Sequence, residues 1–155
     1  MQRGYYEIGI YHPKTPANVG TLWRSAYQLG ASGLFVIGHR YAKQASDTVK
    51  AWRHVPFREF ATLDAWQAAV PRDAVVVGIE RGGTDLWGFQ HPERAIYLLG
   101  AEDDGLSPAA LERCHLVVSL DAVRQPSYNV AVSGSIVLYH RCMQKERLAT
   151  PPRPP

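Results

Sequence analysis

Apolar residues along this chain fall into short continuous runs separated by stretches with helical spacing. Runs rich in β-branched and aromatic residues predict strands at 5–11, 34–37, 74–79, 95–99 and 116–120. Apolar positions at helical spacing predict helices over 16–29, 62–70, 108–114 and 128–147. The strands are continuously apolar rather than alternating, as expected when both faces of a sheet are covered. The expected fold is therefore α/β, with a mainly parallel sheet flanked by helices.

Three segments interrupt this pattern. Residues 39–58 are irregular and basic, and residues 80–94 carry glycine and proline breaks that predict a loop. Residues 149–155 are rich in proline and predict a flexible tail. The 155-residue chain thus divides into one domain at 1–148 and a tail at 149–155. A domain of this size buries enough surface to fold without disulfides or a structural metal.

Composition narrows the function classes. No apolar run reaches the length of a membrane span, and the N-terminus does not resemble a signal peptide, so a cytoplasmic protein with no membrane partner is expected. The two cysteines and six histidines are scattered, which predicts no metal site. The net charge is +3, and 13 of the 17 cations are arginines. An arginine side chain can bind a phosphate group through two hydrogen bonds, so the arginine excess is compatible with a polyanionic partner. A codon bias toward arginine explains the excess equally well.

Several common sequence motifs are absent. The chain has no phosphate-loop Gly-x-x-x-x-Gly-Lys and no Gly-x-Gly-x-x-Gly after its first strand. It also lacks the Gly-x-Ser-x-Gly of nucleophile-elbow hydrolases. These absences argue against phosphate-loop chemistry, the ordinary dinucleotide and glycine-rich methyltransferase folds, and the α/β-hydrolases.

Polar residues follow a predicted strand in each of three segments, which read NVGTLWR (18–24), LLGAEDDGL (98–106) and PSYNVAVSGSIVLY (126–139). Ligands of open α/β sheets bind beyond the carboxyl ends of strands, and Gly100 would let a ligand approach the backbone. Each segment alone also has a structural explanation: a capped helix with an exposed arginine, an ordinary turn, and a helix capped by Ser127.

In this order the three segments resemble the motifs of the SpoU/TrmH branch of the SPOUT RNA methyltransferases. The resemblance extends from residue 8 to about residue 147, and the chain is similar to the smallest, TrmL-type members. It implies a C-terminal deep trefoil knot, S-adenosylmethionine as cofactor and a homodimer. The implied activity is 2′-O-ribose methylation of RNA, with tRNA and its wobble nucleotide favoured over rRNA. A non-catalytic RNA-binding relative is the remaining alternative.

The resemblance also assigns site residues. The family's catalytic positions fall on Asn18, Arg24, Glu102, Ser127 and Asn129. Its cofactor-binding loops fall on Gly78, Ile79, Gly100, Ala101, Leu120, Ser127 and Tyr128. The chain departs from the family at Tyr128, where leucine is common, at Ala101, and at 120–122, where Ile-Pro-Met is common. These departures change the expected shape of the adenine pocket and leave the polar residues in place.

Arginine and lysine side chains are expected to hold the RNA. Residues 39–58 contain one acid, Asp47, and Tyr41 and Trp52 could stack on bases. The predicted RNA-binding residues are Arg24, Arg40, Lys43, Lys50, Arg53 and Arg58. A solvated loop around a buried Trp52 is the alternative. The resemblance gives Arg24 the role of removing the proton of the hydroxyl. Because a guanidinium is a poor base, we expect Arg24 instead to bind the target phosphate and lower the hydroxyl's pKa, with a transiently neutral Arg24 in a desolvated site as the alternative.

The last predicted helix gives an independent indication of assembly. Its residues 130–139 are apolar or small around nearly the whole circumference. A helix of this kind is buried on more than one side, and a second copy of the chain is the simplest cover.

Overall fold

The computed structural model describes residues 4–38, 51–125 and 127–149, in which strands and helices alternate. The strands are β1 (Tyr5–Tyr11), β2 (Gly33–Ile37), β3 (Phe57–Phe60), β4 (Val75–Asp85), β5 (Arg94–Leu99) and β6 (Leu116–Ser119). The helices are α1 (Pro16–Gln28), α2 (Leu63–Ala69), α3 (Pro108–Glu112) and α4 (Val130–Ala149). Short 3₁₀ helices lie at Ala51–Arg53 and Leu86–Gly88.

The six strands form one sheet in the order β3-β2-β1-β5-β4-β6, and every pair in it is parallel. This confirms the predicted α/β fold with a parallel sheet. Because parallel strands share their direction, the loops that follow β1, β5 and β6 meet at one edge of the sheet. All three polar segments identified in the sequence lie at that edge.

Helices cover both faces of the sheet, which explains the continuously apolar strands. On one face, Leu22 of α1 and Val137 of α4 pack into a buried cluster with Ile8 of β1. On the other face, Trp66 of α2 and Ala110 of α3 join a second buried cluster. A Cβ on Gly134 would lie 2.5 Å from Leu22 Cδ1, so glycine lets α4 pack closely on α1.

One additional strand and three element boundaries differ from the sequence predictions. β3 lies in the segment expected to be irregular, and β4 continues to Asp85 into the expected loop. β4 continues because Thr84 and Asp85 pair with β6 after a shift in register. α4 begins at Val130 because the side chain of Asn129, not of Ser127, accepts hydrogen bonds from the amides of Ala131 and Val132 at 2.9 and 3.2 Å. At its other end, α4 includes residue 149 of the predicted tail, and residues 150–155 lie outside the described ranges.

The second half of α4 clasps the loop between β4 and β5. The Arg141 guanidinium is buried and donates to the carbonyl oxygens of Pro92 and Glu93 at 2.6 and 2.9 Å. Gln144 donates to the Phe89 carbonyl at 2.8 Å and accepts from the amide of His91 at 2.8 Å. These contacts fix the 89–93 loop to the helix.

His91 is the buried centre of this clasp, at 4% exposure. Its Nδ1 lies 2.6 Å from the Tyr97 hydroxyl, and its Nε2 lies 2.9 Å from His140 Nδ1. Burial, together with the nearby His140, Arg141 and Lys145, lowers the pKa of His91 to about 3. The imidazole is therefore neutral in the folded protein at physiological pH.

Candidate functional site

The carboxylate of Glu102 lies at the centre of a hydrogen-bonded cluster at the sheet edge. Its Oε1 accepts from the backbone amide of Thr15 at 3.0 Å and from Asn18 Nδ2 at 2.8 Å. Its Oε2 accepts from the Thr15 hydroxyl at 2.8 Å. Thr15 stands at the N-cap position of α1 and makes no side-chain cap there. The start of α1 is therefore tied to the loop after β5.

Asn129 joins the third segment to this cluster. Its Nδ2 donates to Asn18 Oδ1 at 3.0 Å, while its Oδ1 caps α4. The side-chain amides of Asn18 and Asn129 thus each donate one hydrogen bond through Nδ2 and accept at least one through Oδ1. Three of the predicted catalytic residues meet here through side-chain hydrogen bonds, and Asn18 lies 84 positions from Glu102 and 111 positions from Asn129 along the chain.

Glu102 is ionised at neutral pH. Partial burial opposes its ionisation, but hydrogen bonds from Asn18 and Thr15 outweigh that effect and hold the pKa of the carboxyl below its ordinary value. Beside it, Lys14 pairs with Asp103, and that hydrogen bond raises the pKa of the lysine. Glu102 therefore serves as a fixed acceptor that orients Asn18, rather than as a group that exchanges protons near pH 7.

A cavity opens beside the cluster, between β4, the turn after β5 and the segment that leads into α4. Its walls include Ile79, Glu80 and Arg81 of β4, Leu99–Glu102 at the end of β5 and in the turn after it, and Ser127–Val130 at the start of α4. The predicted cofactor-binding residues that line it are Ile79, Gly100, Ala101, Leu120, Ser127 and Tyr128. Gly78 lies outside the lining; a Cβ there would lie 2.8 Å from Cys114 Sγ.

The loop after β5 is a tight turn, and this changes the role expected for Gly100. Ala101 and Gly105 exchange backbone hydrogen bonds of 3.1 and 3.0 Å. A Cβ on Gly100 would lie 2.2 Å from the carbonyl carbon of Gly105, so the space beside Gly100 is filled by its own loop. Gly100 lines the cavity as predicted, but the predicted reason is wrong. Glycine is needed at this position to close the turn, not to leave room for a ligand.

Glu80 braces this turn, a role that sequence reasoning missed. Its Oε2 accepts from the Leu106 amide at 2.6 Å, and its Oε1 accepts from the Arg81 amide at 3.0 Å. A Cβ on Gly105, whose φ is +65°, would lie 2.3 Å from Glu80 Oε2. The sequence carries no signal for this contact because Glu80 sits in a stretch read as loop.

The predicted RNA-binding residues that the structure describes lie on α1 and on residues 51–58, which pack against it. Arg24 is exposed on α1 and does not line the cavity. Arg53 lies over the Trp52 ring, 5.0 Å from its centroid. Arg58 forms an ion pair with the buried Glu7, which ties it to the fold. Arg40, Lys43 and Lys50 lie outside the described residues.

An apolar groove adjoins the cavity and shares Leu120 and Tyr128 with it. The groove has a volume of about 630 Å³. Its exposed apolar side chains are Trp87, Tyr128, Val132, Tyr139 and Met143. Trp87 is 82% exposed, which is unusual for tryptophan in an isolated globular chain. Exposed apolar surface of this extent marks an interaction site.

The described part of the chain contains neither a cluster of metal-ligating side chains nor a helix that could span a membrane. Within it, no three His, Cys, Asp or Glu side chains converge as a metal site would require. No helix in these ranges is long and apolar enough to cross a membrane.

The chain is similar to proteins of a known family. A family model, the SpoU rRNA Methylase family, matches residues 6–139. A 23S rRNA (uridine(2479)-2'-O)-methyltransferase of Streptomyces viridochromogenes is 30% identical over 154 residues, an alignment that covers 90% of this chain and 54% of that protein. The chain thus spans about half the length of this curated relative.

Two solved structures extend the comparison. One concerns the 2-OH methylation of C/U34 on tRNA; it matches with a TM-score of 0.83 and 26% identity, covering 94% of this chain and 99% of the other. The other is the SpoU methyltransferase AviRb from Streptomyces viridochromogenes in complex with the cofactor AdoMet. Its TM-score is 0.74 at 26% identity, with 92% of this chain and 58% of that chain covered.

Proposed function

The chain belongs to the SpoU rRNA methylase family, and we propose that it transfers a methyl group from S-adenosylmethionine to a ribose 2′-hydroxyl of RNA. The observation that carries this proposal is the hydrogen-bonded cluster of Asn18, Glu102 and Asn129 at the rim of the cavity. The network brings polar side chains from all three sequence segments to the rim of the cavity, where an RNA ribose and the cofactor would meet. The 23S rRNA relative is named a 2'-O-methyltransferase, and the C/U34 structure concerns 2-OH methylation on tRNA.

The cavity suits S-adenosylmethionine by its chemistry. Ile79, Leu120 and Val130 supply apolar walls for a flat base, and the turn at 100–101 supplies backbone polar groups. Ile79, Gly100, Ala101, Leu120, Ser127 and Tyr128 would hold the cofactor. When bound, S-adenosylmethionine supplies a methyl group already activated by the charge on its sulfur.

The remaining roles fall to side chains around the cavity. Glu102, held ionised, keeps Asn18 and through it Asn129 in one orientation. Ser127 lines the cavity and is exposed toward an incoming ligand. Arg24 binds the target phosphate, and its charge lowers the pKa of the attacking hydroxyl. Alignment of the hydroxyl with the methyl group supplies much of the rate gain.

We propose further that the apolar groove is covered by a second copy of the chain in a two-fold homodimer. Thr21 of α1 lines the groove, and the groove shares a wall with the cavity. A two-fold pairing here brings α1 of each protomer toward the cavity of the other. Arg24 does not line the cavity of its own chain, and in this dimer it would act at the cavity of the partner protomer.

A knotted path for the chain is proposed on the topology. β6 lies at the edge of the sheet beyond β4, whereas α4 packs over Ile8 of β1 and Leu99 of β5. Ser119 donates to the carbonyl of Gly83 at 3.1 Å, so β6 ends against the stretch that follows β4. We propose that the chain after β6 passes through the β4–β5 loop to join these positions, a path that would form the trefoil knot.

The RNA class has two candidates. The structural match at a TM-score of 0.83 to the C/U34 protein supports tRNA, with the wobble nucleotide as the target. The 30% identity to a 23S rRNA enzyme supports rRNA. We place tRNA first because that relative aligns along nearly its whole length with the fold described above.

One experiment tests the activity and the RNA class together. The purified chain is incubated with methyl-labelled S-adenosylmethionine and either unmodified tRNA or unmodified rRNA, and the digested nucleosides are analysed by mass spectrometry. The proposal predicts 2′-O-methyl nucleosides in one RNA pool. Absence of methylation in both pools, with S-adenosylmethionine bound in calorimetry, would contradict it and favour a non-catalytic relative.

Sedimentation equilibrium tests the assembly. The expected mass is twice the chain mass of 17.3 kDa, and Val132→Asp in the groove should reduce it to one chain. A monomer mass for the active wild-type protein at the assay concentration would refute the dimer.

A further inference from the structure

A second exposed aromatic surface lies where the end of α1 meets the segment before β3. The ring of Tyr27 stacks on that of His54, with centroids 4.9 Å apart and planes at 25°. Next to His54, the Arg53 guanidinium covers the Trp52 ring at 5.0 Å. Tyr27 and Trp52 are 37% and 39% exposed, and Arg53 and His54 are also exposed. These four residues are called the aromatic platform below.

The aromatic platform is held by buried contacts beneath it. Trp23, one turn before Tyr27 on α1, donates its indole N–H to the Val55 carbonyl at 3.0 Å. Its ring stacks on Phe57 at 4.8 Å. The segment that carries Trp52, Arg53 and His54 is thus fixed to α1 in the folded protein. The exposed rings therefore have little conformational freedom to lose when a ligand stacks on them.

Charge separates this surface from the apolar groove. α1 and residues 51–58 together contain three arginines and no carboxylate. The residues lining the groove include Asp85 and Asp121 and no lysine or arginine. An apolar groove with acidic groups suits a protein surface, whereas flat rings beside guanidinium groups suit an anionic polymer with flat bases.

One member of the aromatic platform, Tyr27, lies on the same helix as Asn18 and Arg24. Asn18 contacts Glu102 near the start of α1, Arg24 follows six residues later, and Tyr27 comes three residues after that. At 1.5 Å rise per residue, Tyr27 lies about 4.5 Å beyond Arg24 along the axis and about 14 Å beyond Asn18. Arg24 and Tyr27 are three residues apart and are neighbours on the surface of α1, whereas Asn18 lies on the opposite side of the helix. RNA that Arg24 holds is therefore within a short distance of Tyr27.

We propose that the aromatic platform stacks an unpaired base of the RNA that flanks the methylated nucleotide. The inference rests on the proposed function and adds where, and by which chemistry, the RNA is held outside the cavity. Single-stranded bases bind proteins mainly by stacking on aromatic rings and guanidinium planes, with little dependence on sequence. The aromatic platform contributes affinity for a flanking nucleotide and leaves the choice of target to the cavity.

Paired substitutions test this proposal. Tyr27→Ala removes the ring, and Tyr27→Phe keeps it; Arg53→Ala is matched by Arg72→Ala, which removes an exposed arginine elsewhere. Binding to unfractionated tRNA and to unfractionated rRNA is measured by competition, and S-adenosylmethionine binding by calorimetry. Tyr27→Ala is expected to weaken binding of the substrate RNA by about five- to a hundredfold, the range that stacking of one base supplies. Tyr27→Phe and Arg72→Ala should stay near wild type.

The outcomes separate this proposal from the proposed function. Normal RNA affinity in Tyr27→Ala, His54→Ala and Arg53→Ala, with methylation intact in the wild type, overturns the aromatic platform alone. No methylation and no RNA binding by the wild type overturns both. Unchanged RNA affinity with an altered sedimentation mass in Tyr27→Ala assigns the surface to a protein contact and also overturns it. His54→Ala serves as the second variant if Tyr27→Ala fails to fold, since His54 is exposed.

Discussion

Asn129 has two functions in this structure that substitution can separate. Its Oδ1 caps α4 through the amides of Ala131 and Val132, and its Nδ2 donates to Asn18. Asn129→Ala removes both contacts. Asn129→Asp keeps an acceptor for the helix amides but places a second oxygen against Asn18 Oδ1, where no hydrogen bond can form.

The magnitudes follow from these contacts. Loss of a helix cap costs about 1 kcal/mol, and the exposed Asn18 bond adds about 0.5 kcal/mol. For a domain of this size, about 1.5 kcal/mol lowers the Tm by roughly 3–6 °C. Asn129→Asp retains the cap, and its charge at the N-terminus of α4 offsets the lost bond by about 0.3–1 kcal/mol, so its Tm should stay near wild type.

Thermal unfolding at one protein concentration is compared with methyl transfer for both variants. Asn129→Ala should lose stability and activity together, whereas Asn129→Asp should lose activity with its Tm nearly unchanged. Equal losses of Tm in the two variants would refute the capping role. Full activity in Asn129→Asp would show that the contact to Asn18 is not needed for the reaction.

Three further predictions follow from the site and from the clasp on α4. Arg24→Ala and Arg24→Lys should both abolish methylation and leave S-adenosylmethionine binding intact, because one ammonium cannot replace a bidentate guanidinium; a Lys variant that retains most of its rate would contradict this. Gly100→Val should block S-adenosylmethionine binding in calorimetry because its Cβ meets the Gly105 backbone, and unchanged affinity would remove the turn from the site. His91 has a folded pKa of about 3, below its ordinary 6.5, so the unfolded chain takes up its proton first as the pH falls. The contribution of His91 to the free energy of unfolding is complete above pH 6.5 and is lost as the pH falls from 6.5 to 3, with a loss of about 2 kcal/mol at pH 5. His91→Gln should therefore flatten the dependence of Tm on pH in this range. An unchanged slope in the variant would contradict the assignment.

The sequence predicted the fold class because the apolar runs report burial directly. It missed the second half of β4, where the residues Glu80 to Asp85 include two glycines and four polar side chains. That stretch is a strand only because it pairs with β6 after a shift in register, a tertiary cause that no local pattern carries.

The sequence predicted which residues form the candidate site but not the hydrogen bonds that join them. Asn18, Glu102 and Asn129 came from the resemblance to family motifs, and their mutual hydrogen bonds depend on three loops meeting at one edge. Gly100 was identified for a different reason from the one that applies, since only the folded turn shows what fills the space beside it. The clasp of Arg141 on the 89–93 loop had no sequence signal, because a cation near the end of a helix ordinarily faces solvent.

The clasp between α4 and the β4–β5 loop sets an order for folding. Its contacts join residues about 50 positions apart, with Arg141 and Gln144 as the last to be synthesised. Each of these contacts forms only once the intervening chain has closed into a loop, and closing it costs conformational entropy. A nascent chain therefore cannot secure the 89–93 loop until Gln144 has left the ribosome, and a truncation before Arg141 should leave a chain that collapses without completing its fold.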